Sequence, residues 1–212
     1  MLISLCHATF KSKKEPKEIR DIWLKNALNK DNIEYIPGLN EDDYLSLSNT
    51  EGIKRYISKK STKCTAVKNW NGAAYLSKGD LIFVIADDLE PCYGWDIKLK
   101  EVAMGLNPNK YAFAIKIGDS QSDNDKKMRH PIISRKFYEK FGLFDKRFRG
   151  VFCDDDITKR AFWKAIILDG RDIKLIHSHH TNSNNKNDIP ISTKLINTEE
   201  EYEYGFSVIQ KI

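Results

Sequence analysis

The sequence lacks any apolar run approaching the ~20 residues that a transmembrane helix requires. Its apolar start, Met1–Leu5, has no basic residue before it, so it predicts a buried strand rather than a signal peptide. Cysteines are few, and their positions show none of the paired spacings typical of zinc sites or disulfide frameworks: Cys6, Cys64, Cys92 and Cys153. We therefore expect a cytoplasmic protein without an integral membrane anchor.

Neither sign of charge dominates strongly, since the formal net charge is +5. The basic runs Lys11–Lys14 and Lys54–Lys63 are compatible with an anionic substrate or a polyanionic partner, and equally with a solvated surface. No nucleic-acid-binding motif accompanies them. With 212 residues, 41% of them hydrophobic, the chain can bury one sizeable core. We expect one catalytic domain over residues 1–180 and a polar, partly ordered extension over 181–212.

Apolar strands and amphipathic helices alternate along the chain. Strands are predicted at residues 2–8, 32–36, 81–86, 111–115 and 173–176, and helices from residue 16 and at 65–77, 134–141 and 154–167. This alternation predicts an α/β fold with a single Rossmann-like, mostly parallel sheet flanked by helices. Residues 39–63 are expected to be irregular, with one short helix. Residues 116–129 are polar and predict a loop, either a lid or a plain solvated loop.

One apolar strand ends at two acids. Residues Leu81–Ala86 carry no charge, and Asp87 and Asp88 follow at once. In open α/β sheets ligands lie beyond the carboxyl ends of the strands, and an unpaired carboxylate is too costly to bury in a core. These acids therefore indicate a site for Mg²⁺ or Mn²⁺ that grips a phosphate. A pair of acids capping a turn is the alternative interpretation.

A second acidic cluster, Asp154, Asp155 and Asp156, opens a predicted helix. The helix dipole stabilises a negative charge at this end by ~0.3–1 kcal/mol, and a single acid is sufficient as the cap. The surplus of acids predicts that one carboxylate faces a cleft, where it could act as general base on an acceptor hydroxyl. Simple capping remains the alternative.

Histidines follow the last predicted strand. In an extended chain His177 and His179 would point to the same side. Imidazole is a common metal ligand, although histidine clusters on surface loops are also common. Together with Asp88, one of these histidines could complete a metal site.

Further short motifs appear in a distinctive order along residues 1–180. They are Lys68-Asn69 on a helix, Ala74–Asp80, Ala86-Asp87-Asp88, Pro91 with Gly94-Trp95, Ile133–Arg135, Gly142–Asp145, the acidic helix start with Arg160, and a late histidine. In this order and spacing the chain resembles the family 2-like glycosyltransferases of the GT-A fold. The resemblance implies a GT-A-type fold and the transfer of a sugar from a nucleoside diphosphate sugar to a hydroxyl acceptor.

The resemblance also implies roles for individual residues. It assigns nucleotide binding to His7, Ala8, Thr9, Asn40, Asp42, Lys68, Asn69 and Asp87. It assigns the divalent metal ion, Mn²⁺ or Mg²⁺, to Asp88 with His177 or His179. The family's Asp-x-Asp motif has its first acid where this chain has Ala86, which makes Asp88 the better candidate ligand.

For an inverting reaction the resemblance implies a base at Asp154 or Asp155, because the family's glutamate is absent at this helix start. Asp156 is a third candidate and is assigned to acceptor binding. Gly94 and Trp95 would form a platform for the acceptor or sugar, since aromatic faces pack well on sugar rings, while a core role for Trp95 is the alternative. The acceptor itself is undetermined, and the mild positive charge slightly favours an anionic one such as a nucleic acid.

Two other functions are compatible with the same sequence. A sugar-phosphate nucleotidyltransferase would usually carry a glycine-rich phosphate loop near the first strand, but residues 8–14 contain no glycine. A non-catalytic binding module for a nucleic acid or a protein would fit the incomplete metal motif and the basic runs. Metal-dependent nucleotide binding would exclude the second alternative.

Overall fold

The computed structural model describes residues 1–120, 127–178 and 191–212. Within these ranges the strands are β1 (Ile3–Ala8), β2 (Ile33–Asn40), β3 (Tyr56–Ser58), β4 (Leu81–Ile85), β5 (Leu89–Pro91), β6 (Phe113–Asp119), β7 (Ile132–Ser134) and β8 (Ile166–His177). The helices are α1 (Pro16–Lys25), α2 (Tyr44–Asn49), α3 (Ala66–Leu76), α4 (Trp95–Val102), α5 (Arg135–Phe141), α6 (Cys153–Lys164), α7 (Ile191–Ile196) and α8 (Glu199–Ile209).

The eight strands form one mixed sheet in the order β3-β2-β1-β4-β7-β6-β8-β5. Strands β3, β2, β1 and β4 are parallel, as are β6 and β8. Strand β7 runs antiparallel to both of its neighbours, and β5 runs antiparallel to β8. The predicted α/β class with a single, mostly parallel sheet flanked by helices is therefore confirmed.

Each face of the sheet carries its own apolar cluster. One cluster contains Trp23 of α1, Phe83 of β4 and Trp95 of α4, whose rings meet edge to face. The other contains Phe137 of α5 and Ile157 of α6. Successive residues of a strand point to opposite faces. Every residue of β4 is buried, and this burial on both faces explains why its sequence is apolar throughout rather than alternating.

Three strands run further than their sequences predict. Strand β8 begins at Ile166 rather than at residue 173, because α6 already ends at Lys164. Strand β2 continues through Pro37 and Gly38 to Asn40. The proline is tolerated because the neighbouring β3 pairs only from Gly38 onward, so no ladder bond on that side is lost. Strand β6 continues to Asp119, into the predicted polar loop, because after a bulge at Gly118 it pairs again with β8.

The C-terminal region contains more regular structure than its polar sequence indicates. Helices α7 and α8 follow the segment 179–190. Glu201 of α8 is buried and lies 3.2 Å from Arg149, while the Arg149 guanidinium also lies 3.7 Å from the centre of the Tyr204 ring. None of the described helices has the length and hydrophobicity that crossing a membrane requires.

Candidate functional site

Parallel strands β2, β1 and β4 end at the same edge of the sheet. This topology brings Asn40, His7 and the Asp87-Asp88 pair to that edge, although they lie far apart in sequence. The edge is where ligands bind in open α/β sheets. The predicted site residues on these three strands are therefore neighbours because of the strand order.

A small cavity of about 40 Å³ lies at this edge. Four of the predicted nucleotide-binding residues line it: Ala8, Thr9, Asn40 and Asn69. The hydroxyl oxygen of Thr9 and the side-chain oxygen of Asn69 are buried and have no hydrogen-bond partner among the described residues. Buried polar atoms normally have a partner, so these two atoms are suited to a polar ligand.

Asn40 organises the wall of this small cavity. Its side-chain oxygen lies 3.1 Å from the Ser58 hydroxyl, 2.8 Å from the Thr65 hydroxyl and 2.8 Å from the Asn69 amide nitrogen. The side chain is only 1% exposed. Asn40 therefore ties β2, β3 and the start of α3 together around the cavity.

His7 is fully buried behind the same edge. Its Nδ1 lies 2.6 Å from the Tyr35 hydroxyl, which donates to the Pro16 carbonyl oxygen, and its Nε2 lies 2.9 Å from the Asp87 carboxylate. His7 therefore orients Asp87 and does not line the small cavity.

Asp42 lies after β2, and one of its carboxylate oxygens is buried without a partner among the described residues.

A larger cavity of about 320 Å³ shares the side chain of Ile196 with the small one. Its lining brings together basic side chains with acids and histidines that lie after β4, before β7, at the start of α6 and at the end of β8: Asp88, Asp154, Asp155, His177, His130, Lys127 and Arg129. The aromatic residues Trp70, Phe144, Phe152 and Tyr202 complete much of the wall. The volume is that of a small-molecule site.

His177 lies between two carboxylates at the end of β8. Its Nε2 lies 3.3 Å from Asp88 and its Nδ1 lies 3.0 Å from Asp119. Burial alone would lower the pKa of His177, but the hydrogen bonds and charges of Asp119 and Asp88 outweigh it and raise the pKa to about 9. In the same way, burial raises the pKa of Asp88, but His177 outweighs that effect and lowers it overall.

His130 stands against His177, with ring centroids 5.2 Å apart and an angle of 76° between the rings. Neither ring nitrogen of His130 is accessible to solvent or has a hydrogen-bond partner among the described residues. Burial, together with the charge of His177, lowers the pKa of His130 to about 4. Possible ligand atoms of Asp119, His130 and His177 all lie within 4.8 Å of one another, so this group could hold a metal ion.

The acidic start of α6 faces the larger cavity through its first two acids. Lys127 lies 2.9 Å from Asp155 and 3.8 Å from Asp154. Burial raises the pKa of Asp154, Lys127 lowers it, and Asp155 raises it again. Asp154 therefore combines a partly buried carboxylate with a nearby cation, an arrangement suited to a general base.

Several predicted site residues lie elsewhere. Trp95 is completely buried between Trp23 and Phe83, and its indole nitrogen donates to the Trp23 carbonyl oxygen, so the predicted acceptor platform was wrong. Gly94 is also buried, and it caps α4 in the left-handed conformation with φ of 71°. Because both residues are buried, this dipeptide has no exposed face for a sugar.

Asp156 is 1% exposed and pairs with Arg160 at 2.7 Å, so it stabilises α6 instead of facing an acceptor. Lys68 is exposed and lines neither of the two cavities. His179 lies outside the described residues.

Sequence reasoning missed Asp119, His130, Lys127 and the C-terminal side chains Leu195 and Ile196, which line the small cavity. Asp119 and Lys127 lie in the segment 116–129, which was interpreted as a polar loop, and His130 follows directly after it. The only signal was a histidine beside Pro131, just after that segment, and without the strand pairing it could not be connected to His177.

Comparison with solved structures agrees with this architecture, whereas no protein-family model and no curated protein matches the sequence. Staphylococcus aureus TarS has a similar structure, with a TM-score of 0.63 and 12% identity over 84% of this chain and 37% of that chain. TarS 1–349 in complex with UDP-GlcNAc gives a TM-score of 0.63 and 13% identity over 96% of this chain and 64% of that chain.

The complex of TarS 1–349 with UDP gives a TM-score of 0.59 and 14% identity, over 83% of this chain and 60% of that chain. The chain thus spans between 37% and 64% of these neighbours' length. At these identities the likeness concerns the fold. The chain has a GT-A-like fold, similar to that of the family 2-like glycosyltransferase TarS, as its sequence motifs predict.

Proposed function

We propose that the chain is a glycosyltransferase that moves a sugar from a nucleoside diphosphate sugar to a hydroxyl acceptor. One observation carries the proposal: Asp88, His177 and Asp154 line one cavity of about 320 Å³, which shares a wall with the small cavity at the strand ends. The small cavity would bind a portion of the nucleoside, and the larger cavity would bind the diphosphate and the reacting sugar. The GT-A-like fold supports this division.

A uridine nucleotide is the best-supported donor, since neighbouring structures hold UDP-GlcNAc and UDP. The buried oxygens of Thr9, Asn69 and Asp42 have no partner among the described residues, and N–H or O–H groups of a nucleoside could donate to them. Asp87, held by His7, stands at the same edge of the sheet. A bound nucleoside would thus compensate groups that are otherwise buried at a cost.

A divalent cation, Mn²⁺ or Mg²⁺, fits this site. Asp88 and His177 face the same cavity and offer the oxygen and nitrogen ligands that Mn²⁺ accepts. When bound there, the cation would neutralise negative charge on the departing diphosphate. Lys127 and Arg129 on the wall of the cavity would add positive charge near the same group.

Asp154 would act as the general base. As the acceptor hydroxyl attacks the anomeric carbon from the side opposite the diphosphate, its proton would pass to the Asp154 carboxylate, and the configuration of that carbon would be inverted. Lys127 would hold Asp155 and stabilise the charged form of Asp154. The acceptor carries a hydroxyl group, and the basic side chains beside the cavity would favour an anionic one.

The four cysteines are free thiols, which fits the cytoplasmic location that the sequence predicts. We include that location in the proposal.

The test is calorimetric titration of the protein with UDP, ADP, GDP and CDP and with their sugar conjugates, with and without Mn²⁺. We expect one nucleotide series to bind, more tightly with Mn²⁺, and the metal-dependent part to be lost in Asp88→Ala. Asp169→Ala is the matched control, because Asp169 is an exposed acid paired with Arg171 on β8. Failure of every nucleotide to bind under either condition would contradict the proposal and favour a non-catalytic binding module.

A further inference from the structure

We propose that His130 is a metal ligand, and that Asp119, His130 and His177 together form a centre selective for transition metals over Mg²⁺. This inference rests on the proposed function, because it names the protein ligands and the type of cation at that site. It keeps His177 as a ligand and adds the imidazole of His130 and the carboxylate of Asp119, with Asp88 beside the other ring nitrogen of His177.

The first argument is proximity. A ligand atom from each of the three side chains lies within 4.8 Å of the other two. Ligands of one metal ion at bond lengths of about 2.0–2.2 Å are separated by roughly 3–4 Å. Small side-chain rotations would therefore bring the three atoms onto one ion without moving the backbone.

The second argument is independent and concerns His130 itself. Both of its ring nitrogens are buried and neither has a partner among the described residues. A buried polar group without a hydrogen bond is destabilising by roughly 1–3 kcal/mol, and such groups usually indicate a missing ligand or a functional role. A metal ion bound to one nitrogen would supply a partner on the side where Asp119 and His177 lie.

The third argument is that the fold holds the three residues firmly. Asp119 pairs with Leu175 at the end of the β6–β8 ladder, and the backbone nitrogen of His177 donates to the Ser120 hydroxyl at 3.0 Å. His130 precedes Pro131, whose carbonyl oxygen accepts from the backbone nitrogen of Val84 at 3.1 Å. The ligands are thus attached to β4, β6 and β8, and rigid attachment favours a defined coordination geometry.

The ligand types decide the selectivity. Mg²⁺ prefers oxygen ligands and retains several waters, whereas imidazole nitrogen suits transition metals. A centre with two imidazoles and a carboxylate should therefore bind Mn²⁺, Co²⁺ or Zn²⁺ in preference to Mg²⁺. Asp88, on the other nitrogen of His177, could join as a ligand or orient the ring.

The full chain is titrated with Co²⁺, whose visible absorption reports the coordination number and ligand field of the bound ion. It is also titrated with Mn²⁺ and with Mg²⁺ in a calorimeter. Wild type is compared with His130→Gln, Asp119→Asn and Asp88→Asn, with Asp169→Asn as the control. We expect Co²⁺ and Mn²⁺ affinity to fall about tenfold or more in His130→Gln and in Asp119→Asn. We also expect wild type to bind Mn²⁺ at least about tenfold more tightly than Mg²⁺, and His130→Gln to narrow that difference.

His130→Gln should fold normally, because the imidazole that it removes makes no hydrogen bond to any described residue; the metal-free melting temperature checks this. Added Co²⁺ should raise the melting temperature of wild type but not that of the variant. Equal Co²⁺ affinity in wild type and His130→Gln would overturn the inference, as would an absence of Co²⁺ and Mn²⁺ binding by wild type. Titration with UDP in the absence of metal tests the donor site separately. Failure of the metal centre can therefore be distinguished from failure of nucleotide binding.

Discussion

The ammonium group of Lys127 lies 3.8 Å from the carboxylate of Asp154 in the first turn of α6. Burial raises the pKa of this carboxyl group, and the charge of Lys127 counteracts the rise. A general base must be ionised near neutral pH and must also have enough affinity for a proton to accept it. Lys127 favours the ionised form of Asp154, and burial raises its affinity for a proton. The three consecutive acids of α6 are therefore not equivalent.

Asp154→Asn should abolish most of the transfer activity while leaving nucleotide binding intact. A positioned base contributes roughly 10²–10⁴-fold to rate, so the fall should lie in that range. The readout is release of UDP from a UDP-sugar, with water as the acceptor. Asp155→Asn is the matched control and should retain far more activity, since Lys127 holds that carboxylate at 2.9 Å. Equal losses in the two variants would contradict the assignment.

Lys127→Met should move the pH dependence of the reaction. Without the ammonium group, the pKa of Asp154 rises further, because the cation that favours its charged form is gone. The acid limb of the rate profile should therefore shift to higher pH, and activity at acidic pH should fall more than activity at alkaline pH. A uniform loss across the profile would instead indicate a purely structural role for Lys127.

His177 should make the stability of the metal-free protein depend on pH. Its pKa in the folded protein is about 9, above the value of about 6.5 in an unfolded chain, so folding takes up a proton between these two values. This stabilisation is complete below pH 6.5 and is lost as pH rises toward 9. Denaturant unfolding at several pH values should show the decline in wild type and a flatter alkaline limb in His177→Gln.

Arg149→Ala should destabilise the protein much more than Arg147→Ala. Glu201, a buried residue of α8, would lose the cation that lies 3.2 Å away, and leaving a buried charge unpaired costs about 3 kcal/mol. Arg147 instead pairs with Asp145 on an exposed surface, where an ion pair is worth less than about 1 kcal/mol. Urea unfolding measures the stability of both variants. Similar free energies of unfolding would show that the Arg149–Glu201 pair does not anchor α8.

Asn40→Ala should destabilise the wall of the small cavity. It would leave the Thr65 hydroxyl and the Asn69 amide without the oxygen they now contact, at about 1–3 kcal/mol for each buried group. Asn40→Asp keeps an acceptor at the same place and should recover much of the thermal stability. Asn40→Asp also removes the amide nitrogen of Asn40. Full affinity of this variant for UDP would therefore exclude a direct role of that nitrogen in nucleotide binding.

The sequence alone determined the class of fold and those local elements that have a clear apolar pattern. The uniform apolar character of β4 and the periodic apolar positions of α1 and α3 are local properties, so they predict strands and helices without knowledge of the partners. The acids after β4 and at the start of α6 were found for the same reason. Their chemistry is visible in a few consecutive residues.

Only the tertiary structure decided which of these residues share a site. Trp95 lies in the core because α1 and β4 supply Trp23 and Phe83 around it, which no local pattern reveals. His130 meets His177 because β7, β6 and β8 are adjacent in the sheet, although 47 positions separate the two histidines along the printed sequence. Pairing between distant segments depends on the free energy of the whole packed sheet, and a single sequence read locally does not contain that information.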